Sequence, residues 1–553
     1  MVRTGANIVI ESLCRNGTET LFGYPGGAVL PIYEELYRNS YRLRHILCAH
    51  EQNAVHAADG YARTTGRPGV VIATSGPGAA NLVTGIATAG LDSVPLVVIT
   101  GNVSVPLLGK DSFQELDITS VTRGITKHNF AVNSPCELSR VIDAAFHIAL
   151  DGRPGPVLID IPKNVQSESC QEEDESSPLY FTRKTPLPAL DALIRMLCES
   201  SRPLIYSGGG IISDRAWGEL EELANRVDAP VVFSMMGLTA MRSSHPRNGG
   251  MCGMHGTALS AELLKKCDLI LALGVRFSDR ASGNCEKFRE GKKIIHIDID
   301  PSEINKNVSA DIGITGSLKS VLTELLKTLP RQSRPEWQQF HKSIKLKNVP
   351  AEIKTLVPEN LFPAVAKYCD EDCVIVTDVG QHQIWTMHYY PFKTPGSLLT
   401  SGGLGTMGYG LGAAIGSSVA RGGKRTLLFT GDGSFGMSLQ ELATAVSQKL
   451  PLLIIICNNG VLGMVRQWQT MFYDQHYSHT TLNRQTDFPA LARAFGAEGK
   501  KITTLEELDS ALQDLAPDRP TVLDCRLDKD EWALPIIPPG GSIEEMITEK
   551  KGI

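Results

Sequence analysis

Two residues invite a chemical reading first. Asp432 stands in the tripeptide Gly431-Asp432-Gly433, and Asn459 closes the pair Asn458-Asn459. Apolar runs precede both: Leu427-Leu428-Phe429 before the tripeptide, and 452–457 before the asparagines. Each reads as a buried strand. Between them, 438–449 carries Leu439, Leu442, Ala443 and Val446 at helical spacing. The segment is expected to be a strand–helix–strand unit with Asp432 and Asn459 at the C-terminal ends of its strands. Open α/β sheets bind ligands there. A carboxylate and an amide offer two hard oxygens, which suit Mg²⁺ shared with a diphosphate. The flanking glycines let backbone approach phosphate closely. A second carboxylate, Glu51 in His50-Glu51-Gln52-Asn53, falls between a short strand at 46–49 and a small-residue helix at 54–63. Taken alone, it is a helix-start carboxylate favoured by the helix dipole.

The elements that must position these groups repeat along the chain. At 553 residues the chain is too long for one core, and about three domains are expected. Apolar content of 42% and charged content of 21% fit a soluble globular protein. The net charge of −6 is spread without a basic run, so nucleic acid is not an expected partner. The sequence has no apolar run long enough for a membrane helix and no signal-peptide pattern. Its N-terminus reads as an amphipathic first helix. The 12 cysteines are scattered, and Cys369 and Cys373 form the only close pair. Reduced thiols and a cytoplasmic location are expected.

Two stretches interrupt the pattern. Segment 166–184 is acidic and Ser-rich, and 330–350 carries Pro, Arg and Lys without an apolar strand. Charged 331–347 reads as solvated surface. The expected domains are 1–165, 189–330 and 355–530, with a tail at 531–553. Each domain alternates Val/Ile/Leu runs with helical stretches. The fold class is therefore α/β, with three doubly wound parallel sheets covered on both faces. The first and third units are candidates for a shared fold.

Gly-Asp-Gly, a helix, an apolar strand and a closing Asn-Asn resemble the thiamine-diphosphate (ThDP) binding motif. Further stretches are similar to the acetohydroxyacid (acetolactate) synthase catalytic-subunit family over nearly all of 1–545. They include GYPGGAVLPIYEEL, HEQNAVHAADGYAR, TSGPGAANLVTGIATA, GKDSFQELDI, GRPGPVLIDIPK, GVRFSDR, HIDIDP, VGQHQ, SGGLGTMGYG and LGMVRQWQ. The resemblance implies three domains: pyrimidine-binding, FAD-binding-like and diphosphate/Mg²⁺-binding. It implies ThDP, Mg²⁺ and FAD as cofactors, with FAD doing no redox work. It implies decarboxylation of pyruvate and ligation of the two-carbon unit to pyruvate or 2-oxobutanoate. It further implies a homodimer or homotetramer with sites between chains, and a separate regulatory small subunit.

Residue by residue, the resemblance makes Asp432, Asn459 and the backbone carbonyl of Val461 the Mg²⁺ ligands. Gly380, Gln381 and His382 would hold the diphosphate, with Gly431, Gly433 and Ser434 opposite. Gly405 and Met407 would place the pyrimidine, Met407 as the apolar wedge that bends the cofactor. Alone, Met407 reads as a core methionine. Glu51 would assist loss of the thiazolium C2 proton through the aminopyrimidine. Phe113 and Gln114 would lie near the reacting carbons, with Lys163 at the mouth. Met464, Val465 and Trp468 share a helix, Trp468 favouring 2-oxobutanoate as acceptor. Arg280 would bind the acceptor carboxylate, or simply pair with Asp279. FAD would take Arg153, Gly208-Gly209-Gly210, Gly253-Met254-His255, Arg276, Asp298 and Asp311.

Several residues depart from the family pattern: Gly90, Asn102, Ser104, Ser278 and Gly412. Gly90 and Asn102 bear on the pocket, and Ser278 on FAD. The alternatives are another ThDP carboligase, decarboxylase or oxidase, or a non-catalytic homologue. Glu51 argues against a glyoxylate carboligase. Trp468 argues against sulfoacetaldehyde acetyltransferase and pyruvate oxidase.

Overall fold

The computed structural model describes residues 3–170, 190–347, 355–484 and 486–550. It contains three six-stranded sheets, each parallel throughout. The first runs Arg44–Leu47, Thr20–Tyr24, Gly69–Ala73, Leu96–Asn102, Pro156–Pro162, His128–Ala131. The third runs Leu398–Leu399, Val374–Thr377, Thr426–Gly431, Leu453–Asn458, Thr521–Arg526, Glu498–Ile502. Counted within each unit, both have the strand order 2-1-3-4-6-5, so the two share a topology. The middle sheet has the order 3-2-1-4-5-6, with Pro203–Ser207 as its first strand and Lys293–Asp298 as its fifth. Central strands such as Gly69–Ala73, Leu269–Leu273 and Leu453–Asn458 are buried at every residue. That explains why they read as continuous apolar runs rather than alternating ones.

The first and third units meet through two helices, Glu51–Thr65 and Tyr409–Ala420. Their backbones approach so closely that a Cβ at Gly60 would overlap the Ala413 carbonyl, and one at Gly416 the Ala57 carbonyl. A buried ionic group closes the same interface. Arg63 pairs with Asp59 at 2.7 Å and Asp92 at 2.9 Å, and Tyr409 donates to Asp59 at 2.7 Å. Asp92 also accepts the backbone N–H of Gly403 at 2.7 Å, gripping the loop that leads to Met407.

Four expectations are corrected. The helix expected over 438–449 is broken into a 3-10 turn, Leu439–Glu441, and a short helix, Leu442–Ser447. Glu441 at the break turns inward to accept backbone N–H groups across the interface. The charged stretch after 330 is no plain linker. Pro335–Lys347 is a helix packed on the middle unit. Its Trp337 is buried, stacked on Phe340 and donating to the Pro203 carbonyl at 2.9 Å. Arg334 just before it is also buried, so 331–347 is only partly solvated surface. Not all thiols are reduced: Cys136 and Cys170 form a disulfide. The antiparallel pairing of Arg3–Thr4 with Ser169–Cys170 belongs to the same edge, and no sequence spacing announced it. The remaining ten cysteines are free. Finally, 166–170 is ordered structure with Gln166 buried, while 171–184 of that expected linker lies outside the described residues. Among the described residues no helix is long and apolar enough to cross a membrane.

Candidate functional site

The largest group of candidate residues gathers at the C-terminal edge of the third sheet. The strand Thr426–Gly431 ends directly into Asp432, and Leu453–Asn458 into Asn459. The adjacent parallel register, Gly431 opposite Cys457, brings the two loops together. Asp432 accepts the Gly460 N–H at 3.1 Å. Burial pushes its carboxyl up to about 6. Next to it, helix Gln381–Tyr389 starts at Gly380 without a side-chain cap. The His382 ring fills the space against Gly380 and Gly431, where a Cβ on either glycine would press on it. Burial pushes His382 down to about 3, so the ring is neutral, and its Nε2 is buried without a partner. Met407 approaches Gly433, since a Cβ there would sit 3.7 Å from the Met407 Cε. Ser434 Oγ donates to the Val379 carbonyl at 2.9 Å.

These features fit a diphosphate and a divalent cation. They supply an orphaned imidazole nitrogen, a helix N-terminus in a glycine-lined cradle, and a buried carboxylate beside an amide. Among the described residues no group of three His, Cys, Asp or Glu is placed to hold a metal. A cation held beside Asp432 would take further ligands from amide and carbonyl oxygens.

A second group lies nearby. The Arg280 guanidinium sits 5.4 Å from the centre of the Trp468 ring and 3.2 Å from the Met254 sulfur. Its pairing with Asp279, at 3.6 Å, is loose and exposed. The Trp468 indole nitrogen is buried without a partner. Met464 packs on the core from the same helix, and Val465 is exposed. The loop Gly253-Met254-His255 is held between Arg280 and the tail. Met254 N–H donates to the Arg280 carbonyl at 2.7 Å, and Ile537 N–H to the Met254 carbonyl at 2.8 Å. Burial and then the neighbouring His388 lower His255 to about 4, against its hydrogen bond with the Pro535 carbonyl.

Glu51 and Gln114 form a third group in the first unit. Glu51 opens its helix behind His50, whose ring caps Gln52 N–H. Its carboxylate accepts from Asn81 Nδ2 at 2.9 Å and faces Gly78, while Gln114 packs on Gly76 of the same turn. Phe113 beside it is 87% exposed, as an apolar side chain awaiting cover would be. Lys163 is exposed at the start of a short helix whose Asn164 anchors Val105, the beginning of the Phe113 loop. Among the described residues no hydrogen bond or ion pair joins Glu51 or Gln114 to the diphosphate group of the same chain.

The candidate FAD residues are partly assembled. Burial, then the nearby Arg153 charge, lowers the pKa of Arg276, so two guanidinium groups crowd one place, which suits an anionic dinucleotide. Arg153 is held by Glu303 at 2.9 Å and Ser93 at 2.8 Å. Asp298, raised to about 6 by burial, ends its strand close by. Ser207 presents a buried, unpartnered hydroxyl at the end of Pro203–Ser207. Gly208 and Gly210 are required mainly by the backbone of Gly274, against which a Cβ would collide. Asp311 is the correction. It accepts Ile294 N–H at 2.8 Å, at the opposite end of the strand from Asp298.

The departures are absorbed by packing. A Cβ at Gly90 would meet the Ile125 carbonyl, and one at Gly412 the Asn53 carbonyl. Asn102 donates to Asp160 at 2.6 Å, and Ser278 stands at the N-cap position of Asp279–Ser282 without a side-chain capping bond. Sequence reading missed the supporting residues Asn81, Asp92, Glu441 and Gln467, whose partners lie far away in the chain.

Comparison with known proteins agrees with this geometry. Residues 3–121, 190–325 and 378–525 match the N-terminal TPP binding, central and C-terminal TPP binding domains of thiamine pyrophosphate enzymes. The acetolactate synthase large subunit of Cyanidium caldarium is 42% identical, covering 99% of this chain and 97% of the relative. The acetolactate synthase isozyme 2 large subunit of Escherichia coli (strain K12) is 41% identical over 98% and 99%. A probable acetolactate synthase large subunit of Methanocaldococcus jannaschii is 42% identical over 98% and 95%. The chain belongs to the thiamine-diphosphate enzymes, in the acetolactate synthase large-subunit family.

Proposed function

We propose that two copies of this chain form an enzyme that decarboxylates pyruvate and joins the two-carbon unit to a second 2-oxoacid. Pyruvate as acceptor gives 2-acetolactate, and 2-oxobutanoate gives 2-aceto-2-hydroxybutanoate, products on the way to branched-chain amino acids. The observation that carries this reading is the buried Asp432 beside Asn459 and the unpartnered His382. ThDP, when bound, supplies the electron sink that lets CO₂ leave a 2-oxoacid.

The chain's own residues do the rest. Asp432, Asn459 and the Val461 carbonyl would hold Mg²⁺. The backbone N–H groups around Gly380, Gln381, His382, Gly433 and Ser434 would hold the diphosphate. Gly405 and Met407 would seat the pyrimidine. Glu51 would share a proton with the aminopyrimidine, its carboxylate steadied by Asn81. Arg280 would fix the acceptor carboxylate against Trp468, which narrows the pocket. Phe113, Gln114 and Lys163 would close the reacting carbons from water. FAD would rest on Arg153, Arg276, Asp298 and the Gly208–Gly210 and Gly253–His255 loops, without redox work. The three sheet-bearing segments, 1–165, 189–330 and 355–530, would thus serve the pyrimidine, FAD and diphosphate. Glu51 of one copy would meet Asp432 of the other. A separate small subunit and a cytoplasmic location complete the proposal.

The test is a product assay with purified protein, pyruvate, ThDP, Mg²⁺ and FAD, each omitted in turn. Acetolactate is expected, is lost without ThDP or Mg²⁺, and is reduced without FAD. Cofactor binding without acetolactate would refute the substrate assignment.

A further inference from the structure

Behind the candidate cation site, three side-chain amides are joined in series. Asn459 Nδ2 donates to Gln381 Oε1 at 3.2 Å. Gln381 Nε2 donates to Gln467 Oε1 at 2.9 Å and to the Glu531 carbonyl at 2.8 Å. Gln467 is tied to the tail at Ala533 by both ends of its amide. It accepts Ala533 N–H at 2.9 Å and donates to the Ala533 carbonyl at 3.2 Å. Gln381 and Gln467 are only 4% and 2% exposed, so water does not substitute for these bonds. Gly463 makes room for the series: a Cβ there would overlap Gln381 Oε1 and crowd Asn459 Nδ2.

A primary amide has two ends of nearly the same shape, and only the oxygen can ligate Mg²⁺. The oxygen end of Asn459 accepts the Val461 N–H at 3.2 Å, and its nitrogen end is held by Gln381. A main-chain peptide, in contrast, has a fixed polarity. The N–H and carbonyl of Ala533 fix which end of Gln467 is oxygen. Gln467 Oε1 and the Glu531 carbonyl together then fix Gln381, and Gln381 Oε1 with the Val461 N–H fixes Asn459 with its nitrogen turned away. We infer that Gln467 is a positioning residue, which passes the polarity of the tail backbone at Ala533 through Gln381 to Asn459, so that Asn459 presents oxygen to the cation. The inference rests on the reading of Asn459 as a metal ligand. It also gives the tail a role, since residues 531–533 orient a metal ligand without touching the metal.

The test is Mn²⁺ binding to the full-length protein with ThDP present, followed by the electron paramagnetic resonance signal of free Mn²⁺. Gln467→Met should weaken Mn²⁺ about tenfold, the lower end of what loss of an outer hydrogen-bond partner costs a metal site. In an Asn459→Asp background either end of the ligand is oxygen, so orientation no longer matters. There, adding Gln467→Met should leave the affinity unchanged or raise it. An equal loss in the parental and Asn459→Asp backgrounds overturns the relay, because a general structural role would act on both. Parental affinity in Gln467→Met overturns it as well. Parental affinity in Asn459→Ala removes the metal-ligand reading itself, and the relay with it.

Discussion

Glu441 offers the sharpest perturbation of the supporting structure. It is fully buried, and its Oε1 accepts the backbone N–H of Ala49 at 3.0 Å and of His50 at 2.9 Å. Its other oxygen accepts Thr444 Oγ1 at 2.7 Å. The bonds to Ala49 and His50 cross from the third unit to the residues immediately before Glu51, so they set where the Glu51 helix starts. A hydrogen bond to a charged group is worth roughly 1.5–3 kcal/mol, and three are lost in Glu441→Ala, two of them across the interface. Ala49 is exposed and regains water, so the net loss should be about 3 kcal/mol rather than the full sum. The functional cost is larger in proportion, since a shift of about 1 Å in a reacting group costs on the order of a hundredfold in rate. Glu441→Gln keeps an acceptor oxygen for both N–H groups and should keep most of the stability and rate. The assay is acetolactate formation, paired with hydrogen exchange at the amides of 49 and 50. Unchanged protection and rate in Glu441→Ala would refute the reasoning.

Four further outcomes follow from the packing, the buried charges and the disulfide. Asp160 is raised from 3.8 to about 6 by burial, against its bonds to Thr100 and Asn102. A raised carboxyl means the folded state holds the proton longer, so stability falls as pH rises from 3.8 through 6. The fall amounts to roughly 3 kcal/mol. Asp160→Asn should remove that slope, seen as a variant that gains thermal stability relative to the parent between pH 5 and pH 7. Gly416→Ala should lower stability by about 1–2 kcal/mol, because overpacking against the Ala57 carbonyl exceeds the gain in helix propensity. Gly218→Ala, with open space around its Cβ, should stabilise by up to about 1 kcal/mol in the same melting experiment. Alkylation of the unfolded chain should label ten cysteines without reductant and all 12 with it. Twelve labels without reductant would remove the Cys136–Cys170 bridge.

How much of this was legible in the sequence depended on distance along the chain. Strands buried on both faces announce themselves as apolar runs, so the three sheets and the place of Asp432 and Asn459 could be read directly. Glu51 at a strand-to-helix junction could be read for the same reason. The supporting partners could not. Gln381 and Gln467 lie 86 residues apart, and Glu441 meets His50 across 391. Nothing local in either sequence points to the other. The helix Pro335–Lys347 was hidden because only one face, with Trp337 and Ile344, is apolar. Asp311 misled because it follows the sheet-edge Asp298 in sequence, yet the intervening loop returns it to the start of the parallel strand. Glycines at 208 and 210 looked like a phosphate turn, while the Gly274 backbone accounts for much of their need.

The central claim is a carboligase site assembled from Glu51 of one copy and Asp432 of another. Co-expression of Glu51→Gln and Asp432→Asn chains tests it most directly, with acetolactate from pyruvate as the readout. Each variant alone should be inactive. The mixed dimer should form acetolactate, because one of its two sites combines an intact Glu51 with an intact Asp432. A mixed dimer as inactive as its parents, or a single variant that keeps the parental rate, would contradict the account.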